Sequence, residues 1–535
     1  IDHIFQFQDS LLRILVNQGT SEDISAISWI ADQLPEKEWL KWSLADAKEN
    51  QRRVEWTPLS PRTAIEQIMG KHIETPVISD KAKIIDVAEP EIPEGNVEVD
   101  FTGTIPEAVE IIGEETKERE PKLEKLTYLI VSSEWGSQHG GVSTFNRNLC
   151  IALAEYGHKV FCFIPNADSS DIQRAAQYNV EVLTANQYPG LGVEAQLARG
   201  PSKKIQPDMV IGHDHITGSP ALALARDEFN CPYIHFIHTS PEEIEPHKDR
   251  DARLTHGVVS HSRGNGKGKE QTELSLRSDL VLTVGPKLQR TIRTSLAGDK
   301  DEGRILSILP GLNQDLMTYR RADHIYDPCC LITGRLADAT LKGADLFIRV
   351  AGEFYQHEPN RDLRKTKFIM RGFAEGSMDS EMERLKTQQN VSSPYIHPKP
   401  FTGDENELMR DLKSASLFLM PSRTEGFGLA GLEAIAAGIP AIISADSGLG
   451  ETLLTLAQEF QSSNLKRIAT ECVIDVHPDG PDVLENWVRL ATLRLGNLPK
   501  YFAEAIDLRN ELQSVLTWES TAHNITKASL EVLGR

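Results

Sequence analysis

The 535-residue chain carries 57 Lys and Arg against 78 Asp and Glu, a net charge of −21. That balance excludes a broad nucleic-acid or anionic-membrane surface, because phosphates must be met by clustered Lys and Arg, whereas a small phosphate ligand needs only a few local cations. With 40% hydrophobic and 25% charged residues the composition is that of a soluble globular protein too long for one core, so two or three domains are expected.

The longest apolar candidate for a membrane span, Ala434 to Ala445, is short and broken by Pro440. The chain opens without a secretory apolar segment, and a cytoplasmic location is expected. Six cysteines, at 150, 162, 231, 329, 330 and 472, lack metal-binding spacing, and several lie in or beside apolar runs, which points to a reducing compartment.

Residues 1–75 read as a small all-helical module. Leu11, Leu12 and Leu15 form one apolar stripe, Thr20 with Asp23 forms a capping box, and Trp39 and Trp42 follow Pro35. The module suits either a protein-partner surface or a stabilising extension. Residues 76–125, rich in Pro, Glu and Lys, read as an acidic flexible linker, since little apolar surface offsets the entropy of ordering.

At Leu126 the pattern changes abruptly. A strand over 126–132, a polar loop holding Glu134, Gly140 and Gly141, a helix from Ser143 to Tyr156 and a strand over 160–164 predict a parallel sheet with right-handed crossovers. Met209 to Gly218 then places His213 and His215 at the carboxyl end of a strand, where ligands bind in open α/β sheets. His235 and His238 repeat the pattern; one is expected to be a core histidine, and His238, nearer the strand end, is the better site candidate. No metal is expected, because nothing nearby completes a ligand set for the His-x-His pair. His247 to Gln271 breaks the alternation with Gly and Lys and reads as a loop, either covering substrate or on the surface. Its Asp249-Arg-Asp251 spells a metal-binding D-x-D in the wrong architectural context.

Further strands are predicted at 279–284 and 305–309. A second domain opens at Leu331 with Gly334, Arg335, Lys342 and Gly343 between strand and helix, and a strand over 368–372 and a helix over 404–412 follow. The stretch Ser416 to Ser444 is the most informative in the chain. It reads as strand 417–420, a glycine-bracketed turn to Phe427, a helix from Leu429 to Ala437 and strand 441–443, with Glu425 and Glu433 framing a helix N-terminus suited to an anion. Gly448 to Glu451 reads as another loop at a strand end.

The run Glu425-Gly-Phe-Gly-Leu-Ala-Gly-Leu-Glu433 resembles the E-x7-E signature of the retaining family 4 glycosyltransferases. The glycine loop, the Arg335 and Lys342 pair, the hinge-like Pro310-Gly311-Leu312 and the closing segment around Trp518 resemble the same family. The resemblance covers Leu126 to the C-terminus and implies the GT-B fold, two Rossmann-like domains facing across a cleft. The expected organisation is an acceptor-side domain over 126–310, a nucleotide-sugar domain over 311–518 and a last helix over 519–535 crossing back to the first, all preceded by the small all-α module and the linker. By resemblance, Glu433 binds the nucleotide ribose, and Glu425 with the Gly426, Phe427, Gly428 and Leu429 backbone holds the donor sugar. Arg335 and Lys342 clamp the diphosphate, the Gly140 and Gly141 loop approaches the donor, and His213 contacts the sugar; Glu134, His215 and His238 are further candidates for sugar or acceptor contact.

The implied activity is retaining, metal-independent transfer of a hexose or N-acetylhexosamine from a UDP- or GDP-linked donor to an unidentified acceptor, with no cofactor. Two rival readings are a nucleotide-sugar epimerase of the same architecture and a nucleotide-sugar-binding scaffold that acts through residues 1–75.

Overall fold

The computed structural model describes residues 124–136, 140–252, 260–318, 328–336, 338–477 and 480–535. The expected helical module and nearly all of the expected linker lie outside the described residues, as does the middle of the glycine loop, 137–139.

Two wholly parallel sheets organise the described chain. In the first, strands β1 (Thr127–Val131), β2 (Lys159–Ile164), β3 (Val180–Thr184), β4 (Met209–His213), β5 (Tyr233–Ile237), β6 (Leu280–Val284) and β7 (Ile305–Ile308) lie in the order 3-2-1-4-5-6-7. The second holds β8 (Cys329–Thr333), β9 (Lys367–Phe373), β10 (Ile396–Pro400), β11 (Leu417–Met420), β12 (Ala441–Ser444) and β13 (Val473–Ile474), in the order 10-9-8-11-12-13. Strands such as Thr-Tyr-Leu-Ile-Val and Leu-Phe-Leu-Met are near-continuous apolar runs because both faces of a parallel sheet are covered by helices. The strand with two prolines, β10, sits at a sheet edge, where a missing N–H leaves no ladder bond unmade.

Each sheet reverses its winding once, between β1 and β4 in the first and between β8 and β11 in the second. Such switch points open a crevice at the carboxyl ends of the strands. The glycine loop and His213 occupy the first crevice; Arg335, Lys342 and the Glu425 turn occupy the second.

Helix α1 (Gly141–Tyr156) follows β1, α2 (Asp214–Ala223) follows β4, and α3 (Pro241–Ala252) and α4 (Ser260–Arg277) follow β5. The last two correct the expected loop over 247–271: apart from 253–259, outside the described residues, that segment is helical. Gly268 is spent on packing rather than on breaking the helix, since a Cβ there would lie 2.8 Å from Glu242 Oε1 of α3. Helix α4 is also held by Gln271, which donates to the Thr239 carbonyl at 3.0 Å, and by Ser275, 2.9 Å from His235 Nδ1. Helix α5 (Pro286–Ser295) follows β6, with Pro286 at its first turn.

In the second half, α6 (Ala344–His357), α7 (Glu405–Ser414), α8 (Leu429–Ala436) and α9 (Gly448–Glu459) flank the sheet. The Gly448 to Glu451 stretch, expected as a loop, is the first turn of α9. Ser447 caps it by accepting from the Gly450 amide at 3.0 Å, and Gly448 is small because a Cβ would lie 2.2 Å from the Gly426 carbonyl. The chain ends in α10 (Trp518–Leu533), which packs on α1. Tyr128 donates to Ser529 at 3.1 Å, His158 meets Thr526 at 2.7 Å, and Trp518 lies edge-on to Phe145 with ring centroids 5.4 Å apart. The outgoing and returning passages between the sheets touch: Leu312 N–H donates to the Leu516 carbonyl at 2.9 Å, and Thr521 to that of Leu309 at 2.6 Å.

Candidate active site

The turn after β11 carries the densest set of candidate residues. Gly428 begins α8 with φ of 109°, a left-handed conformation that favours glycine. Gly426 serves a different end: a Cβ there would lie 2.1 Å from the His238 carbonyl, so its bare Cα lets the second half's turn close on the first half's strand end. Phe427 is buried and packs toward Gly285 at the start of α5.

Lys342 Nζ lies 2.6 Å from Glu425 Oε2, both side chains about a quarter exposed (23% each). This places a cation at the crevice with a carboxylate fixing its direction. The scaffold beneath is a buried ion pair: Arg423 grips Asp345 of α6 in bidentate fashion at 2.7 and 2.6 Å and donates to the Thr340 carbonyl at 2.6 Å. Arg423 thereby ties the Glu425 turn to the loop that presents Lys342. Arg335 points across the cleft, where a Cβ on Gly140 would lie 3.6 Å from its Nε, and one on Gly141 would lie 3.5 Å from Leu429 Cδ1. Gly140 and Gly141 of the first half thus meet Arg335 and Leu429 of the second.

Glu433 lies on α8, within electrostatic reach of Arg147 on α1. Burial pushes its carboxyl up to about 7, and the charge of Arg147 on α1 works in the opposite direction. Arg147 also pairs with Glu405 at the start of α7. Its own acidity is raised by burial first and by Arg174 second, while Glu433 favours its charge.

His213 is only 1% exposed, and both ring nitrogens are engaged: Nε2 lies 2.9 Å from Asn146 Oδ1 and Nδ1 lies 2.8 Å from His238 Nε2. With the amide oxygen assigned to face the ring, Nε2 carries the proton and Nδ1 accepts from His238. Burial, reinforced by neighbouring histidines, pulls His213 down to about 3 and His238 well below the ordinary range, so both are neutral. A neutral, fully engaged His213 orients its surroundings rather than acting as an acid; a direct bond to a sugar would require exchange of one partner. Asp214 follows with φ of 45°, unusual for a residue other than glycine, and accepts the His238 N–H at 2.8 Å. Burial raises its carboxyl to about 7 against those hydrogen bonds.

His235 is the core histidine of its pair, held by Ser275 and by the Asp214 carbonyl at 3.1 Å. His215 is half-buried on α2, beyond the strand end, and Glu134 is half-buried in the glycine loop, where its carbonyl accepts from Ser132 at 3.3 Å. Asn146, Arg147, Lys287 and Arg423 were not singled out by the sequence. Lys287 had one available signal, its place just past the carboxyl end of β6.

Two parallel sheets wound in this order, each with one switch point, define the GT-B fold. The chain belongs to the family described as family 4 glycosyltransferases in conflict systems, whose model matches residues 129–525, well over half of its length. Among its relatives is the D-inositol 3-phosphate glycosyltransferase of Frankia alni, 26% identical over 251 residues, which are 45% of this chain and 58% of that protein. The chain therefore spans less than two thirds of that relative. The enzyme of the same name from Pseudarthrobacter chlorophenolicus is 26% identical over 350 residues, 59% of this chain and 76% of the relative. In fold the chain is similar to sucrose-phosphate synthase from Thermosynechococcus elongatus, with a TM-score of 0.57 and 17% identity over 77% of this chain and 100% of that one. It is also similar to Anabaena HepE in complex with UDP and glucose, with a TM-score of 0.54 and 14% identity over 75% and 98% of the two chains. Among the described residues no helix is long and apolar enough to cross a membrane.

Proposed function

We propose that this glycosyltransferase moves a hexose or N-acetylhexosamine from a nucleoside-diphosphate sugar to an acceptor hydroxyl with retention and without a metal ion. The observation that carries the reading is the Lys342–Glu425 pair at 2.6 Å, opposite the Gly140 loop that Arg335 approaches. Breaking the anomeric bond leaves negative charge on the diphosphate, and cations already aimed at that point stabilise it as it develops. Glu425 holds Lys342 in the cleft until a phosphate takes its place. The sugar is received by the Gly426 to Leu429 backbone and the ribose by Glu433, whose position on α8 sets it apart from Glu425. Retention follows from same-face attack: the acceptor oxygen bonds to the anomeric carbon as the phosphate oxygen leaves and takes the acceptor's proton. Neutral His213 and His238 are consistent with a proton passing between substrates rather than through the protein.

The test is calorimetric binding of UDP-, GDP- and ADP-linked glucose, mannose and N-acetylglucosamine to the wild type and to Glu433→Ala. One nucleotide should bind and the substitution should abolish it; unaltered binding would overturn the ribose assignment. Product formation with the bound donor is then followed by NMR against a panel of acceptors that includes D-inositol 3-phosphate, the compound in the relatives' name. An inverted anomeric configuration, or loss of turnover in a chelator restored by added metal, contradicts the mechanism.

A further inference from the structure

A cationic side chain outside the assigned donor site reaches from one half of the molecule into the backbone of the other. Lys287, in the first turn of α5, is only 14% exposed. Its Nζ lies 2.9 Å from Thr424 Oγ1, 2.7 Å from the Asp446 carbonyl, 3.4 Å from the Glu425 carbonyl and 3.1 Å from Glu243 Oε2 of α3. The Thr424 hydroxyl in turn lies 3.1 Å from Glu243 Oε2, so it accepts from the lysine and donates to the glutamate.

The two carbonyls are not arbitrary. Glu425 and Ser447 form an isolated parallel bridge, made by Glu425 N–H to the Asp446 carbonyl and Gly448 N–H to the Glu425 carbonyl, both at 3.3 Å. Those bonds are long for backbone pairs. Lys287 binds the acceptors of both and adds charge to a bridge that is weak alone. The bridge locks the Glu425 turn to the start of α9.

We propose that Lys287 is a positioning residue: its ammonium, carried by the first half, fixes the Glu425 turn of the second by capping both carbonyls of the Glu425–Ser447 bridge, so that closing the cleft and setting that turn are one event. The inference deepens the donor-site reading and rests on it for its consequence in catalysis, though not for its geometry. The neighbouring Arg290–Glu451 ion pair, at 2.5 Å with the arginine 65% exposed, also joins the halves but touches neither carbonyl. It supplies the control.

The experiment is amide hydrogen exchange on the full chain for the wild type, Lys287→Met and Arg290→Met, read at Glu425 and Gly448, with calorimetric binding of UDP, GDP and ADP alongside. Losing two charge-assisted bonds should speed exchange at those two amides by about tenfold or more. The nucleotide that binds the wild type should weaken by a similar factor, while Arg290→Met stays within about twofold of wild type on both readouts. Equal effects of the two variants, or none at these amides, overturn the positioning role. If Lys287→Met does not fold, Glu243→Gln, which removes the lysine's anionic partner, replaces it in the same comparison. If no nucleotide binds the wild type, the donor reading fails while the exchange result still judges Lys287.

Discussion

The protonation of Glu433 gives the sharpest test of the donor site. Its carboxyl lies near 7 instead of 4.5, raised by burial. Ribose hydroxyls donate best to an ionised carboxylate, so binding and ionisation are linked, and affinity should fall as pH drops below about 7. At pH 6 only about a tenth of the sites are ionised, which predicts affinity weaker by about tenfold than at pH 8.5. A nucleotide sugar is the ligand to use, because the terminal phosphate of a free nucleotide titrates near the same pH. Calorimetry at pH 7 in two buffers of different ionisation enthalpy should show about half a proton released per ligand bound. Stability must move the other way. A carboxyl raised in the folded state contributes stability fully present below about 4.5 and lost as pH rises through about 7, a difference on the order of 3 kcal/mol. Thermal unfolding of the free protein followed from pH 4.5 to 8, with Glu433→Gln as reference, isolates that contribution. A pH-independent affinity for the nucleotide sugar, or the same pH slope in Glu433→Gln, would refute the reasoning.

Lys342→Ala should lower kcat by about 100-fold or more with a much smaller change in KM, since its charge acts on the leaving diphosphate; steady-state kinetics decide, and equal losses in both count against it. Gly426→Ala places a methyl 2.1 Å from the His238 carbonyl, so the cleft should stay ajar, seen as an increased radius of gyration in solution scattering and as weaker nucleotide-sugar binding. Arg423→Met leaves Asp345 without its bidentate partner in a largely buried setting and should cost about 3 kcal/mol or more, read as a lowered Tm; an unchanged Tm would remove Arg423 from the scaffold.

The β11-turn-α8-β12 unit was legible because every signal in it is local: two apolar runs, glycines where the backbone turns, and a helix between. Arg335 and Lys342 were legible for the same reason, lying together after one strand. The Gly-rich stretch before Gln271 misled because Gly268 answers to Glu242 on another helix, and Gly448 answers to the Gly426 carbonyl; tertiary packing outweighed the local preference of glycine for loops. The strand Ile396–Pro400 was passed over because its prolines are tolerable only at an edge, and edges are set by topology. Lys287 showed nothing locally beyond its place just past the end of β6, since its partners Thr424 and Asp446 lie 137 and 159 residues further along. Asn146 was hidden likewise, 67 residues from the histidine it holds.

The paired crossings between the halves carry a mechanical consequence. Because the passages near Leu312 and Leu516 are bonded side by side, any swing of the second sheet would be expected to turn about that paired crossing, as a door turns on its pin. Helix α10, carried back onto α1, would stay with the first sheet in such a swing. A fluorophore fused after Arg535 would mark the frame, and a second one on the exposed Leu493 would mark the moving panel, so the distance between them reads the opening angle directly.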